Sequence, residues 1–334
     1  MATKNKNVGS LRRAREEDVS RIAKCFQAAY TDRYPYGLRE EEVVRKSLRD
    51  PNRAVWVIES SDEVVGTGSA VFTADKNKVE LGRDCVHPDY RGITHEGKSA
   101  IRSLIETRVE YALKQRADIV HVTAVSTHPK TQIGYGKSDF FPACVEIGKY
   151  AVLYADGQRE TTFEMISRQS PFFKRQERTS FVPERAFGLA SVISQGLGYN
   201  CKLESSNARN GNIDVKVDAD AVSDHALITI TPGNRGVEEA MDEIYTALGK
   251  YTYVQAKVAA INGITGDVCR RLEDVGLEYS GFLPGWIKSK QAHHDAVVMQ
   301  IKVEGIDPSK IHMIDTTRNL SEMIGYNTEA CPEV

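Results

Sequence analysis

No spacing in this sequence pairs its cysteines. The six of them, at positions 25, 85, 144, 201, 269 and 331, are scattered without a C-x-x-C. That argues against a disulfide framework or a zinc site and for reduced thiols in a cytoplasmic protein. No apolar run approaches the roughly 20 residues of a membrane-spanning helix. The opening Met1-Ala-Thr-Lys-Asn-Lys-Asn7 has no apolar centre of the kind a secretory leader carries. Charge of either sign is not in excess: 44 Lys and Arg against 46 Asp and Glu leave a net −2. Neither nucleic acid nor an anionic membrane is therefore an expected partner. What is present is length, since 334 residues can form two domains with separate cores.

Periodicity organises the first half. Ser10 to Asp18 reads as a strand running into a helix start, and Val19, Ile22, Ala23, Phe26 and Tyr30 continue at helical spacing. A second helix from about Glu40 to Arg49 stops before Pro51. Ala54–Ile58 and Val64–Val71 read as a hairpin about the turn at 60–63, and Val79–Val86 follows a charged turn at 75–78. Ile101, Leu104, Ile105, Val109, Ala112 and Leu113 predict an amphipathic helix opening near Gly97, with a strand at Ile119–Val125 beyond it.

Between that strand and that helix lies Cys85-Val-His-Pro-Asp-Tyr-Arg-Gly-Ile-Thr-His-Glu-Gly-Lys-Ser99. A helix N-terminus leaves N–H groups unpaired and carries the positive end of the dipole, and glycines let a ligand approach the backbone. With Arg91 and Lys98 beside it, the segment has the makings of a phosphate cradle. Two families build one. Gly92–Ser99 satisfies G-x-x-x-x-G-K-[ST], the P-loop of nucleotide-binding proteins. However, His87–Arg91 intervenes after the strand, Pro88 cannot sit in a central strand, and Ile119–Val125 ends without a magnesium-binding Asp.

The second match takes in more of the surroundings. "CVHPDYRG" followed by an amphipathic helix resembles the pyrophosphate loop of the GNAT superfamily of N-acetyltransferases. The family's turn reads R-G-x-G-x-G/A, whereas Arg91-Gly-Ile-Thr-His-Glu-Gly97 is one residue longer and lacks the middle glycine. Further on, Tyr135, Asp139 and Phe140 align with the family's "Y-x-x-x-G-F", with Asp in place of Gly. Asp is among the few residues that tolerate a left-handed backbone. Beyond a polar stretch at 167–184 and a helix from Glu184, the pattern resembles a weaker copy, with Leu277 standing where Phe140 stands and Leu272 where Tyr135 does.

The resemblance implies an α/β (α+β) fold of two GNAT-like modules, each a mixed, mostly antiparallel sheet flanked by helices, the second truncated. The expected divisions are a complete module at 9–155, a connector with a helix at 156–199, a partial module at 200–305 and a tail at 306–334. It also implies acetyl-CoA or another acyl-CoA as co-substrate and direct transfer to an amine. The thioester carbonyl would meet backbone N–H groups near Cys85 and Val86. The pyrophosphate would lie on Arg91, Gly92, Ile93, Thr94, His95, Glu96, Gly97 and Lys98. Tyr135 is the implied proton donor to the thiolate. Glu80 is the candidate base, with Asp84 four residues on and therefore on the same face of a regular strand. The loop from Thr31 to Glu40 is expected to help set the acceptor, and the second module to wall its pocket or to mediate homo-oligomerisation. The alternative is a non-catalytic CoA-binding sensor or an assembly protein. His87 and His128 each stand in a His-Pro just after a strand, flanking the expected cleft, and are read as structural or solvated. The pair His293-His294 is no metal site without partners, and no His/Asn pattern supports Cys85 as a nucleophile.

Overall fold

A computed structural model describes residues 10–30, 37–151, 159–175, 177–206, 211–221, 223–289 and 292–326. These fall into two compact units. One comprises the described parts of 1–123, 133–140 and 169–171, and the other those of 124–132, 141–168 and 172–334.

The first unit opens with β1 (Ser10–Arg13), α1 (Val19–Ala29), α2 (Glu41–Arg49), β2 (Arg53–Ser60), β3 (Glu63–Phe72) and β4 (Lys78–Val86). A short hairpin of β5 (Thr94–His95) and β6 (Lys98–Ser99) precedes α3 (Ala100–Lys114), and β7 (Ile119–Val125) follows. The sheet order is β1-β2-β3-β4-β7, antiparallel except that β7 runs parallel to β4. The stripe anticipated on α1 packs down as expected, with Val19, Ile22 and Phe26, joined by Val44 of α2, meeting Val55 and Val57 of β2. On α3, Leu104, Ile105 and Val109 are buried. Each such side chain contributes roughly 1.5–3 kcal/mol by leaving water.

The boundary of α3 differs from expectation. The sequence pattern placed its start near Gly97, yet the helix begins at Ala100 with Ser99 as N-cap. The cause is local: Glu96 (φ +50°) and Gly97 (φ +76°) both take the left-handed conformation. Two consecutive positive φ values close a two-residue hairpin turn, and His95 and Lys98 pair across it.

After α4 (Lys130–Gly136), the chain continues through β8 (Phe140–Tyr150), β9 (Glu160–Ser167), β10 (Arg178–Val182), α5 (Glu184–Leu197), β11 (Cys201–Ser205), β12 (Ile213–Asp220) and β13 (His225–Pro232). It ends with α6 (Val237–Leu248), β14 (Tyr253–Ala259), α7 (Thr265–Asp274), β15 (Leu277–Lys288), β16 (His293–Ile301) and α8 (Asp315–Met323). The second unit's sheet runs β9-β8-β15-β16-β14-β13-β12, with β13 and β14 parallel. The stretch expected to be a connector, 156–199, contains two strands and a helix, and β10 and β11 pair in parallel across α5.

Order along the chain repeats. The series β4–α3–β7–α4–β8–β9 has the same succession as β13–α6–β14–α7–β15–β16, and in each the first two strands are parallel. Where the first unit has a strand and two helices ahead of its hairpin, the second has β10–α5–β11.

Candidate functional site

β4 carries an irregularity that sequence periodicity does not show. Thr67 of β3 faces Cys85, and Ser69 faces Gly82, so two steps on β3 span three on β4. The extra residue is a β-bulge at Arg83–Asp84, and Arg83 takes φ +54°. One inserted residue reverses the alternation of faces beyond it. Glu80 and Asp84, expected on one face, are therefore on opposite faces. Asp84 pairs with Arg108 of α3 at 2.6 Å, whereas Glu80 pairs with Arg83 at 3.6 Å.

β4 and β7 are parallel neighbours over only three residue pairs, Lys78–Glu80 against Ile119–His121. Past Glu80, β4 has no paired residue on β7, so the ladder between the two strands ends ahead of the bulge. Cys85 and Val86, expected to offer backbone N–H groups, lie on the free stretch beyond it. The Cys85 thiol is buried 3.6 Å from that of Cys25. Its hydrogen bond with Cys25, together with burial, pushes it far above the ordinary thiol range, which removes it as a nucleophile at neutral pH.

Behind the bulge sits a buried polar cluster. Arg108, wholly buried, donates from Nη1 to the carbonyls of Ser69 (3.0 Å) and Gly82 (3.2 Å) and from Nε to that of Leu104 (3.0 Å). Tyr135 is 1% exposed and donates its hydroxyl to Asp84 Oδ2 at 2.6 Å. Burial holds that phenol well above its usual range. Gly68, across the strand pair, makes the space: a Cβ there would lie 2.5 Å from Asp84 Oδ1 and 2.8 Å from Arg108 Cζ. Neither Arg108 nor Gly68 was singled out from sequence. The available signal was that Arg108 falls on the apolar stripe of its helix, four residues after Leu104 and four before Ala112.

The cradle residues come together in a short span, arranged differently from a glycine-rich loop wound onto a helix. Ile93 is buried, and its carbonyl accepts from Ala100 N (3.1 Å), so part of the helix N-terminus is already used. Arg91, Gly92, Thr94, Glu96, Gly97 and Lys98 are exposed and His95 half-buried. Lys98 and Arg102 both reach Glu106, at 2.5 and 2.8 Å. Gly92 takes φ +86°, with open space where a Cβ would be. Because Lys98–Ser99 lies in a hairpin strand ahead of the helix, the G-x-x-x-x-G-K-S match does not fold as a P-loop. His87 caps the turn at 88–90, its ring accepting from Asp89 N at 3.3 Å.

Two concavities flank these features within the first unit. A narrow apolar slot under α1 and α2 is lined by Ile22, Phe26, Leu38, Val44 and Val55, with Arg53 and Arg83 beside it. The Thr31–Tyr36 part of the expected acceptor loop lies outside the described residues, while Leu38 lines this slot. A groove of about 380 Å³ follows the outer face of α3 from Lys98 and Arg102 to Lys137–Asp139. Asp139, in place of the family glycine, takes φ +69°. Among the described residues no group of three His, Cys, Asp or Glu side chains gathers as a metal site, and no helix is long and apolar enough to cross a membrane.

Residues 19–140 match the sequence model of the acetyltransferase (GNAT) family. Among solved structures, the chain is similar to a spermidine N-acetyltransferase SpeG chimera from Vibrio cholerae and hSSAT. That likeness has 19% identity and a TM-score of 0.40, and covers 50% of this chain and 98% of that one. The ribosomal-protein-S18-alanine N-acetyltransferase from Escherichia coli is similar at 14% identity and TM-score 0.39, covering 47% of this chain and 92% of the other. No curated protein sequence matches the chain.

Proposed function

We propose that the first unit transfers an acetyl or small acyl group from CoA to an amine by direct attack. The observation that carries this reading is that β4 loses its pairing with β7 after Glu80, just ahead of the bulge, inside the stretch that matches the acetyltransferase family model. A gap between two strands exposes backbone N–H groups to a thioester carbonyl, and fixed donors aimed at developing negative charge are the largest common source of rate enhancement.

The cradle has the right charge for pyrophosphate. Over residues 91–106 three cations (Arg91, Lys98, Arg102) stand against two carboxylates (Glu96, Glu106). The pairs of Lys98 and Arg102 with Glu106 are on the surface, where such pairs are worth about 0–1 kcal/mol. A polyanion can therefore draw both cations away from Glu106. In this reading Arg91, Lys98, Arg102 and the backbone from Gly92 to His95 hold the phosphates. Glu80, half-exposed on the α2 side of β4, takes the amine proton through water. Tyr135, the implied acid, has its hydroxyl directed at Asp84, and a departing thiolate, with a pKa of about 8.5 for an ordinary thiol, leaves readily without it. We assign Tyr135 a holding role instead.

The test is thermal stabilisation and thiol release. CoA and acetyl-CoA should raise the melting temperature by mass action, Arg91→Glu should remove most of that gain, and a panel of amines should release free thiol from acetyl-CoA. Binding without release from any amine would favour the sensor alternative, and stabilisation by ATP–Mg but not CoA would end the acyl-CoA reading.

A further inference from the structure

We infer that Asp84, Arg108 and Tyr135 form a positioning unit that fixes the β4 bulge for contact with the thioester carbonyl. The inference rests on the acyl-transfer reading above. Arg83 occupies a left-handed conformation without being a glycine, and such residues persist where their surroundings over-determine them. Here the surroundings are visible. Arg108 Nη1 holds the Gly82 carbonyl on one side of Arg83, and Arg108 Nη2 holds the Asp84 carboxylate on the other. The same Nη1 holds Ser69 of the neighbouring strand, so the guanidinium ties both strands at the point where their register shifts. Tyr135 fixes the second carboxylate oxygen from α4, and its ring packs edge-on against Phe140 at 4.9 Å. On the other side of the strand, the Tyr30 hydroxyl donates to the Asp84 carbonyl at 2.8 Å.

Helix α3 carries Arg108 two turns after it leaves the cradle. One rigid helix thus links the phosphate end of the site to the strand that would face the carbonyl. A buried Arg–Asp pair is weak evidence for stability, because desolvation offsets its attraction, but it defines one geometry sharply. Packed against Gly68, the unit has no room to shift toward β3.

The experiment compares wild type, Asp84→Asn and Tyr135→Phe. Affinities for CoA and acetyl-CoA are measured by calorimetry, and the carbonyl stretch of bound ¹³C-labelled acetyl-CoA by isotope-edited infrared spectroscopy. In both variants CoA affinity should stay within about twofold, since the phosphates are held elsewhere. With Asp84→Asn, acetyl-CoA affinity should fall about tenfold, the value of one oriented hydrogen bond, and the carbonyl band should return toward its position in free acetyl-CoA. Tyr135→Phe removes one donor and keeps the ion pair, so it should move both readouts the same way by less; being isosteric, it also covers failure of Asp84→Asn to fold. An unchanged carbonyl band in the folded variants would make the cluster structural only. A loss of turnover beyond a hundredfold in Tyr135→Phe, with band and affinity unchanged, would make Tyr135 the proton donor and overturn the holding role. If wild type binds neither CoA nor acetyl-CoA, the acyl-transfer reading falls first and this inference with it.

Discussion

At the scale of single residues, the site depends on a glycine that no motif marks. Gly68 has a β-strand backbone that any residue could adopt, so its role is space alone. Gly68→Ala would press a methyl group into Asp84 and Arg108, both held by several bonds and unable to swing aside. Overpacking of this kind costs about 1–3 kcal/mol. The expected outcome is a lower urea midpoint for the first unit, larger than for Gly66→Ala, where the nearest atoms are at 3.5 and 3.6 Å. Equal losses at the two positions would show that the cluster yields.

At the scale of elements, β1, α1 and β2 are joined by charge. Asp18 is wholly buried at the start of α1, with Arg12 at 2.8 Å and Arg21 also bonded to it. Glu59 of β2 takes Arg12 at 2.5 Å and Arg21 at 3.1 Å. Burial, the largest single influence, would raise the Asp18 carboxyl, but the hydrogen bonds from Arg12 and from the Arg15 N–H, together with the charges of Arg12 and Arg21, outweigh it and hold it below its usual value. Glu59 is held down chiefly by Arg12 as well. Carboxylates with depressed folded-state pKa values contribute stability that is fully present above their unfolded values of about 4. That stability is lost as pH falls through the folded-state values. Melting temperature followed from pH 7 to pH 2 should be flat near neutrality and drop on this acid limb. Asp18→Asn should be less stable at pH 7 and show a shallower drop, and a parallel curve for the variant would assign the acid sensitivity to other groups.

At the scale of the whole molecule, the repeated order of elements does not imply a repeated site. β13 and β14 stay paired over six residues, His225–Ile230 against Tyr253–Val258, where β4 and β7 part after three. The link into α6 is Gly233-Asn-Arg-Gly236, with no counterpart of the β5–β6 hairpin. A pyrophosphate there would lose its water without a set of donors in exchange. Calorimetric titration should give about one CoA per chain, and two equivalent sites would show that the second unit binds by other means.

Much of the first unit was legible because its signals are local. The stripe on α1, the stop before Pro51, the hairpin at 60–63 and the run from Ile101 to Leu113 depend on neighbours within one or two turns. Asp139, aligned with the family's glycine, takes the left-handed backbone that Asp tolerates. The bulge at Arg83 was not legible, since register is set between strands and β4 read alone looks regular up to Val86. For the same reason Asp84 could not be seen to turn away from Glu80. The hairpin ahead of α3 was hidden by a helix pattern that began three residues early. Nor could the sequence say that Arg108, one arginine among many, lies at zero exposure with Asp84 and Tyr135 around it. Periodicity determines which face of an element is buried, and only packing between elements decides which buried polar groups meet.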